Sequence, residues 1–292
     1  MKTQTTLALL GICACTFFAA CDENYNTSHP DYGTVTLTTD WGQRTGGIDL
    51  PASYTVQVGD YSTAVGEATA TLDHLFLPGA YRLRTYNTPQ RVFVTDNVAT
   101  VGEDIPAPGS TGKFLQPLPG WFFSCVADVE IEVDTDHEFT APMQQQVRQL
   151  TLLIEPMGNT RNRIQGIEGS LSGVAGSLNL DTGTHADASN VALSFSRITT
   201  GSNAGKWAAT VRLLGIAPGS PQMLTAEIRF LDGIPASVLL VSDLSAGLSA
   251  FNTDKMYPLT LDGQMVEVPG AAGFIATIND WNTQSGGSVV VN

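Results

Sequence analysis

Val129-Glu130-Ile131-Glu132-Val133 is the stretch that decides the fold class. Apolar and acidic residues alternate without a break, the period of a strand with one face in water and one on a core. Val129, Ile131 and Val133 are expected inside, Glu130 and Glu132 outside. Just upstream, Phe122 to Val126 reads as another strand. Working outward, the pattern repeats on both sides. Towards the N-terminus lie Val98-Ala99-Thr100-Val101, Arg91 to Thr95, Ala80 to Tyr86, Tyr54 to Val58 and the β-branched run Thr34 to Trp41. Towards the C-terminus, strands are expected at Val147 to Glu155, Ile164 to Leu171, Ala192 to Arg197, Lys206 to Leu214, Met223 to Phe230 and Ser237 to Val241. Tyr257 to Leu261, Gln264 to Val268, Phe274 to Trp281 and Ser288 to Asn292 complete the series.

Turn residues separate these runs: Pro78-Gly79, Gly173 to Gly176, Gly201 to Gly205, Pro218-Gly219 and Asp232-Gly233. Asp262-Gly263 between two alternating runs predicts a tight hairpin. Gly102 to Gly120 reads as a surface loop, and Asp134 to Ala141 as a polar connection. Helix is expected at most as a turn near Gly173 to Ser177 and another at Asp243 to Asn252. Short strands at this spacing imply sandwich or barrel architecture rather than alternating strand and helix. Val147 to Glu155 is the best start for a second domain.

The N-terminus carries an address. Lys2 is followed by an apolar run from Leu7 to Phe18, then Ala19-Ala20-Cys21 and the acidic Asp22-Glu23. A basic start, a short apolar core and small residues before a cleavage point make a signal peptide, and the run is too short to span a bilayer. Phe18-Ala19-Ala20-Cys21 resembles the bacterial lipobox, in which the cysteine is acylated. An ordinary signal peptide with an incidental cysteine is the alternative. Acyl chains on Cys21 would hold the protein on a membrane without a spanning helix.

The chain of 292 residues has 14 basic and 28 acidic side chains, a net charge of −14. Loss of Lys2 with the signal would deepen it. Nucleic acid and anionic lipid are therefore poor partners. With Cys13 and Cys15 in the signal and Cys21 acylated, Cys125 has no disulfide partner and is expected as a small buried hydrophobe.

No chemistry-bearing motif is present: no Gly-x-Ser-x-Gly, no phosphate loop, no His-Glu-x-x-His and no Cys-x-x-Cys. His29, His74, His137 and His185 lie in polar stretches and are expected on the surface. Asp134-Thr135-Asp136-His137-Glu138 offers hard oxygens to Ca²⁺ but lacks the glycine and the distal glutamate of the known loop, so a solvated turn is the expectation. No cofactor, no metal and no enzymatic activity are expected.

Four features together resemble the fimbrial anchor subunits of FimB type, within the fimbrillin superfamily of type V pili. They are the lipobox with its acidic residues, the early strand ending in Asp40-Trp41, the run Leu77-Pro78-Gly79-Ala80-Tyr81-Arg82-Leu83-Arg84-Thr85-Tyr86-Asn87, and Met143 to Thr151 together with Ile278-Asn279-Asp280-Trp281. The resemblance implies an all-β protein with two tandem transthyretin-like β-sandwich domains. The corresponding division is a lipoprotein signal peptide over 1–20, a tether over 21–32, and domains over 33–142 and 143–292. It further implies a surface-exposed lipoprotein of the outer membrane whose partners are stalk or accessory pilins, joined by exchange of β-strands. Ser288, Val289, Val290 and Val291, behind Gly286-Gly287, are the candidate donor strand; a closing edge strand of the second domain is the equal alternative. The strand near Val35 is expected to stay in its own domain. A glycan- or host-binding surface lipoprotein without a pilus is the competing function.

Overall fold

The computed structural model describes residues 30–106, 110–158, 161–270 and 273–284. The chain is all-β among these residues, apart from turns and α1 (Ser245–Leu248). The first half supplies β1 (Thr34–Asp40), β2 (Tyr54–Val58), β3 (Tyr61–Val65), β4 (Thr69–Thr71) and β5 (Gly79–Tyr86). After it come β6 (Val92–Thr95), β7 (Val98–Val101), β8 (Glu103–Asp104) and β9 (Phe114–Leu115), then β10 (Phe123–Ile131), β11 (Asp136–Pro142) and β12 (Gln144–Gln145). The second half supplies β13 (Arg148–Pro156), β14 (Ile164–Asn179), β15 (His185–Arg197), β16 (Trp207–Leu213), β17 (Met223–Phe230) and β18 (Ser237–Asp243). After α1 follow β19 (Leu259–Gly270) and β20 (Gly273–Gln284).

Two sheets, in the orders β11-β1-β4 and β12-β10-β5-β2-β3, face each other in the first half. Their inner residues, among them Val35, Leu37, Tyr54, Val56, Leu83, Phe123 and Ile131, form one core. Trp41 closes its end, edge-on to Tyr54 at 6.1 Å and to Phe123 at 5.6 Å. β1 is the central strand of its sheet. It pairs in parallel with β11 along all seven residues and antiparallel with β4.

The second half is a closed, mixed barrel of eight strands, β14-β17-β18-β20-β19-β13-β16-β15, with β15 returning to β14. The β13–β19 and β18–β20 pairs are parallel. Its core holds Leu150, Leu152, Ile154, Leu224, Ile228 and Phe251. The strand spacing allows sandwich or barrel, and the family resemblance implies a transthyretin-like sandwich here; the strands instead close into a barrel. Closure follows from the length of β14, which pairs with β15 on one side and β17 on the other, leaving no free edge between them.

Other expectations are corrected for local reasons. The Gly173 region is not a turn: β14 runs through it with a register shift between Leu171 and Val174, and Gly173 takes a φ of 70°. Asp262-Gly263 is not a hairpin turn. It lies inside β19, where a Cβ on Gly263 would sit 2.6 Å from the Ile278 side chain. This glycine serves close packing rather than a turn. The polar stretch after Asp134 is mostly strand β11, because β1 offers it a parallel edge. Val133 is exposed, since β10 ends at Ile131 and Val133 lies in the turn with Asp134, whose φ is 48°. The 102–120 loop contains β8 and β9, and Phe114 and Leu115 are buried. β6 to β9 belong to the large sheet: β7 pairs with β14, and β9 with β15.

Candidate functional site

β5 has two working faces because strand side chains alternate. Leu83 and Thr85 point into the first core, with Tyr81 packed at its margin. Arg82, Arg84 and Tyr86 face the other way, and Tyr86 packs on the barrel core. Arg84 forks onto Asp181 in the β14–β15 turn, its Nε and Nη2 each 2.7 Å from a carboxylate oxygen. Asn97 also donates to Asp181. The hydrogen bond from Arg84, with that from Asn97, holds the Asp181 carboxyl down at about 2, against the pull of burial. The strand ends at Asn87, which is buried. Its Oδ1 accepts from the Phe123 amide at 2.7 Å, and its Nδ2 donates to the Trp121 carbonyl at 2.9 Å.

A second polar cluster ties the 249–258 loop to both halves. Gln145 Nε2 donates to the carbonyls of Val147 and Lys255, at 2.9 and 2.8 Å, while its Oε1 accepts from the Thr45 amide at 2.8 Å. The Thr45 hydroxyl donates to the Met256 carbonyl. Arg148 donates to the carbonyls of Tyr257, Ala250 and Phe251, and its guanidinium lies 5.2 Å over the Phe251 ring. Lys255 is buried. Its Nζ is 2.9 Å from His185 Nε2, 3.0 Å from the Leu214 carbonyl and 3.3 Å from Gln146 Oε1. Burial, and then the charge of Arg148, push the lysine down to about 7. Burial and the neighbouring lysine push His185 down to about 4. The Lys255 amine and the His185 ring thus share one polar contact beneath the loop, beside the Leu214 carbonyl. Arg82, Cys125, Asp181, His185, Asn252 and Lys255 line a cleft of about 480 Å³ between the halves.

The predicted site residues fall as follows. Cys21 and the donor-strand candidates Ser288, Val289, Val290 and Val291 lie outside the described residues, as does His29. His74 is exposed and stacked on Tyr61 at 4.6 Å. His137 accepts from the Glu132 amide at 2.9 Å. His185 contradicts the surface expectation: the β14–β15 hairpin carries it under the 249–258 loop. Cys125 is half-buried, and burial raises its thiol above the ordinary range. Among the described residues no group of three or more His, Cys, Asp or Glu side chains is placed to hold a metal ion. The joint was not readable in sequence, because Arg84 and Asp181 are 97 positions apart. Asn87, at the end of a strongly alternating strand, was the one local signal.

No family model matches the chain, and no curated protein matches it in sequence. Solved structures do resemble it. A putative adhesin from Bacteroides ovatus ATCC 8483 superposes with a TM-score of 0.58 at 13% identity, over 87% of this chain and 94% of the other. A second putative adhesin from Bacteroides ovatus gives 0.56 at 12% identity, over 87% and 96%. The fimbrial anchor protein Mfa2 from Porphyromonas gingivalis gives 0.50 at 14% identity, over 86% and 98%. At these identities the likeness is one of fold. It spans both halves of the chain.

Proposed function

We propose that this chain is a cell-surface lipoprotein, acylated at Cys21, that serves as an anchor or accessory subunit of a fimbria and has no enzymatic role. The observation that carries the reading is the likeness of fold to a fimbrial anchor protein along nearly the whole length of both chains. On this reading the two halves are the tandem transthyretin-like units of that class, the second closed into a barrel. Partner pilins join by strand exchange, with Ser288 to Val291 as the donated strand.

The state of β1 supports an anchor that keeps its own first strand. Val35 and Leu37 are fully buried, and both edges of β1 are paired. Withdrawing it would unzip a central strand and expose its core face. The alternative, an adhesin that binds surface glycans without a pilus, draws on the two Bacteroides ovatus likenesses and on half-buried Trp121, which borders two polar clefts.

The test is recovery of the native protein from the cell surface with mass spectrometry of what accompanies it. Pilin in a stable strand-exchanged ladder, lost on deleting 286–292 while the monomer stays folded, supports the proposal. Recovery alone or with glycan supports the alternative. Intact co-assembly of the deleted protein excludes the C-terminal donor strand.

A further inference from the structure

Four large apolar side chains are exposed together where the chain enters the first half: Tyr32 at 38%, Leu75 at 39%, Leu77 at 59% and Val133 at 55%. Backbone bonds fix their proximity. Gly33 and Phe76 exchange two hydrogen bonds of 2.9 Å, which sets Tyr32 beside the Leu75–Leu77 segment. The Asp134 amide donates to the Tyr32 carbonyl at 2.9 Å, which brings Val133 alongside. Behind them lies an open cleft of about 550 Å³, walled by Val58, Tyr61, His74, Phe76 and Tyr81. Its rings are held in place. His74 stacks on Tyr61 and stands edge-on to Phe76 at 4.6 Å, and the Tyr81 hydroxyl donates to the Leu77 carbonyl at 2.8 Å.

We infer that this end is a foot that rests in a zwitterionic lipid–water interface. The inference rests on the reading of Cys21 as the acylated residue. Eleven positions separate Cys21 from Tyr32, so the tether spans at most about 40 Å even fully extended. The patch is thus confined near the bilayer that holds the acyl chains. Its composition suits that place: tyrosines put an apolar ring and a polar hydroxyl across an interface, and leucine and valine enter the acyl boundary.

Charge selects the headgroup. Asp31, Asp60, Asp73, Glu132 and Asp134 surround the patch, and the sole Lys or Arg between residues 30 and 81 is Arg44. Arg44 follows the far end of β1, where it donates to the Trp41 and Ile48 carbonyls. With carboxylates and no cation around it, the foot is repelled by a net-anionic surface and tolerated by a zwitterionic one. The crossover to the barrel leaves from that opposite end of β1, where the Met143 amide donates to the Asp40 carbonyl. The foot therefore faces lipid at one end of the strand while the crossover leaves from the other.

The test uses the full lipidated protein in phosphatidylcholine vesicles with brominated acyl chains. Leu77→Trp adds a fluorophore to the foot, and Val133→Trp is the second variant should the first not fold. Mass spectrometry of Cys21 and vesicle flotation are read on the same samples. The expected result is an acylated, floating protein whose added tryptophan is blue-shifted and quenched, with less quenching when phosphatidylglycerol is mixed in. An acylated, floating protein with an unquenched added tryptophan overturns the foot alone. Quenching that grows with phosphatidylglycerol overturns the headgroup choice. An unmodified Cys21 in a protein that does not float overturns the anchor reading and the foot with it. Cross-linking of Leu77→Cys to another protein on whole cells reassigns the patch to a protein partner.

Discussion

Arg84 and Asp181 meet through two parallel 2.7 Å hydrogen bonds, one residue from the first half and the other from a turn of the barrel. Arg82 lies further off, 3.8 Å from the same carboxylate, and pairs instead with Asp128. The geometry is the fork that guanidinium and carboxylate share, in a place largely withdrawn from water. Asp181→Asn keeps the shape and removes the charge. The expected cost is about 1.5–3 kcal/mol, the range for a hydrogen bond to a charged group. Chemical denaturation of the two proteins at neutral pH measures it. Equal midpoints would show that the fork contributes nothing.

The Lys255–His185 contact makes a sharper prediction about pH. His185 stays neutral down to about 4, whereas an ordinary histidine takes its proton at 6.5. Between those values the unfolded chain binds more protons than the folded one, so stability falls as pH drops from 6.5 towards 4. Lys255 follows the same sign higher up. With 10.5 as its ordinary value and about 7 in the fold, it makes stability fall as pH drops from 10.5 towards 7 and level off below. Lys255→Met should remove the upper slope and, by deleting the neighbouring charge, shrink the lower one. His185→Gln should flatten the lower slope alone. Urea midpoints measured from pH 4 to 10 decide it, and unchanged slopes in both variants would sink the assignment.

Asn87 is the pin between β5 and β10. Asn87→Ala removes the partner of the buried Phe123 amide and of the part-buried Trp121 carbonyl. The expected loss is about 1–3 kcal/mol, the cost of one unsatisfied buried group. Hydrogen exchange should show faster opening at Phe123 before the barrel responds. Uniform loss of protection across both halves would contradict a local pin.

Gly263 separates packing from turn chemistry. A methyl group there would meet Ile278 Cγ2 at 2.6 Å and the Trp281 ring at 3.0 Å, so Gly263→Ala is expected to cost about 1–3 kcal/mol by overpacking. Gly166 is the control: a Cβ there meets nothing within 4 Å, so Gly166→Ala should be neutral. Melting temperatures of the two variants make the comparison.

Sequence alone determined that this chain is all-β. Alternation is a local property, and it located most strands, Met223 to Phe230 to the residue. The run from Ala80 to Tyr86 was also legible, because its side chains alternate between two faces and turn residues flank it. Tertiary structure decided what local pattern cannot carry. Whether a sheet closes depends on which strands pair, and β14 closes the barrel through partners as far apart in sequence as His185 and Phe230. The same holds for Gly263, where a glycine required by a distant side chain looks identical in sequence to one required by a turn. Asp134 to Ala141 reads as polar because most of it is β11, an edge strand with core on one face and water on the other. The buried lysine and histidine were hidden for the same reason. The 249–258 loop covers His185 and turns its own Lys255 inward onto that ring and the Leu214 carbonyl, contacts between segments far apart in the chain.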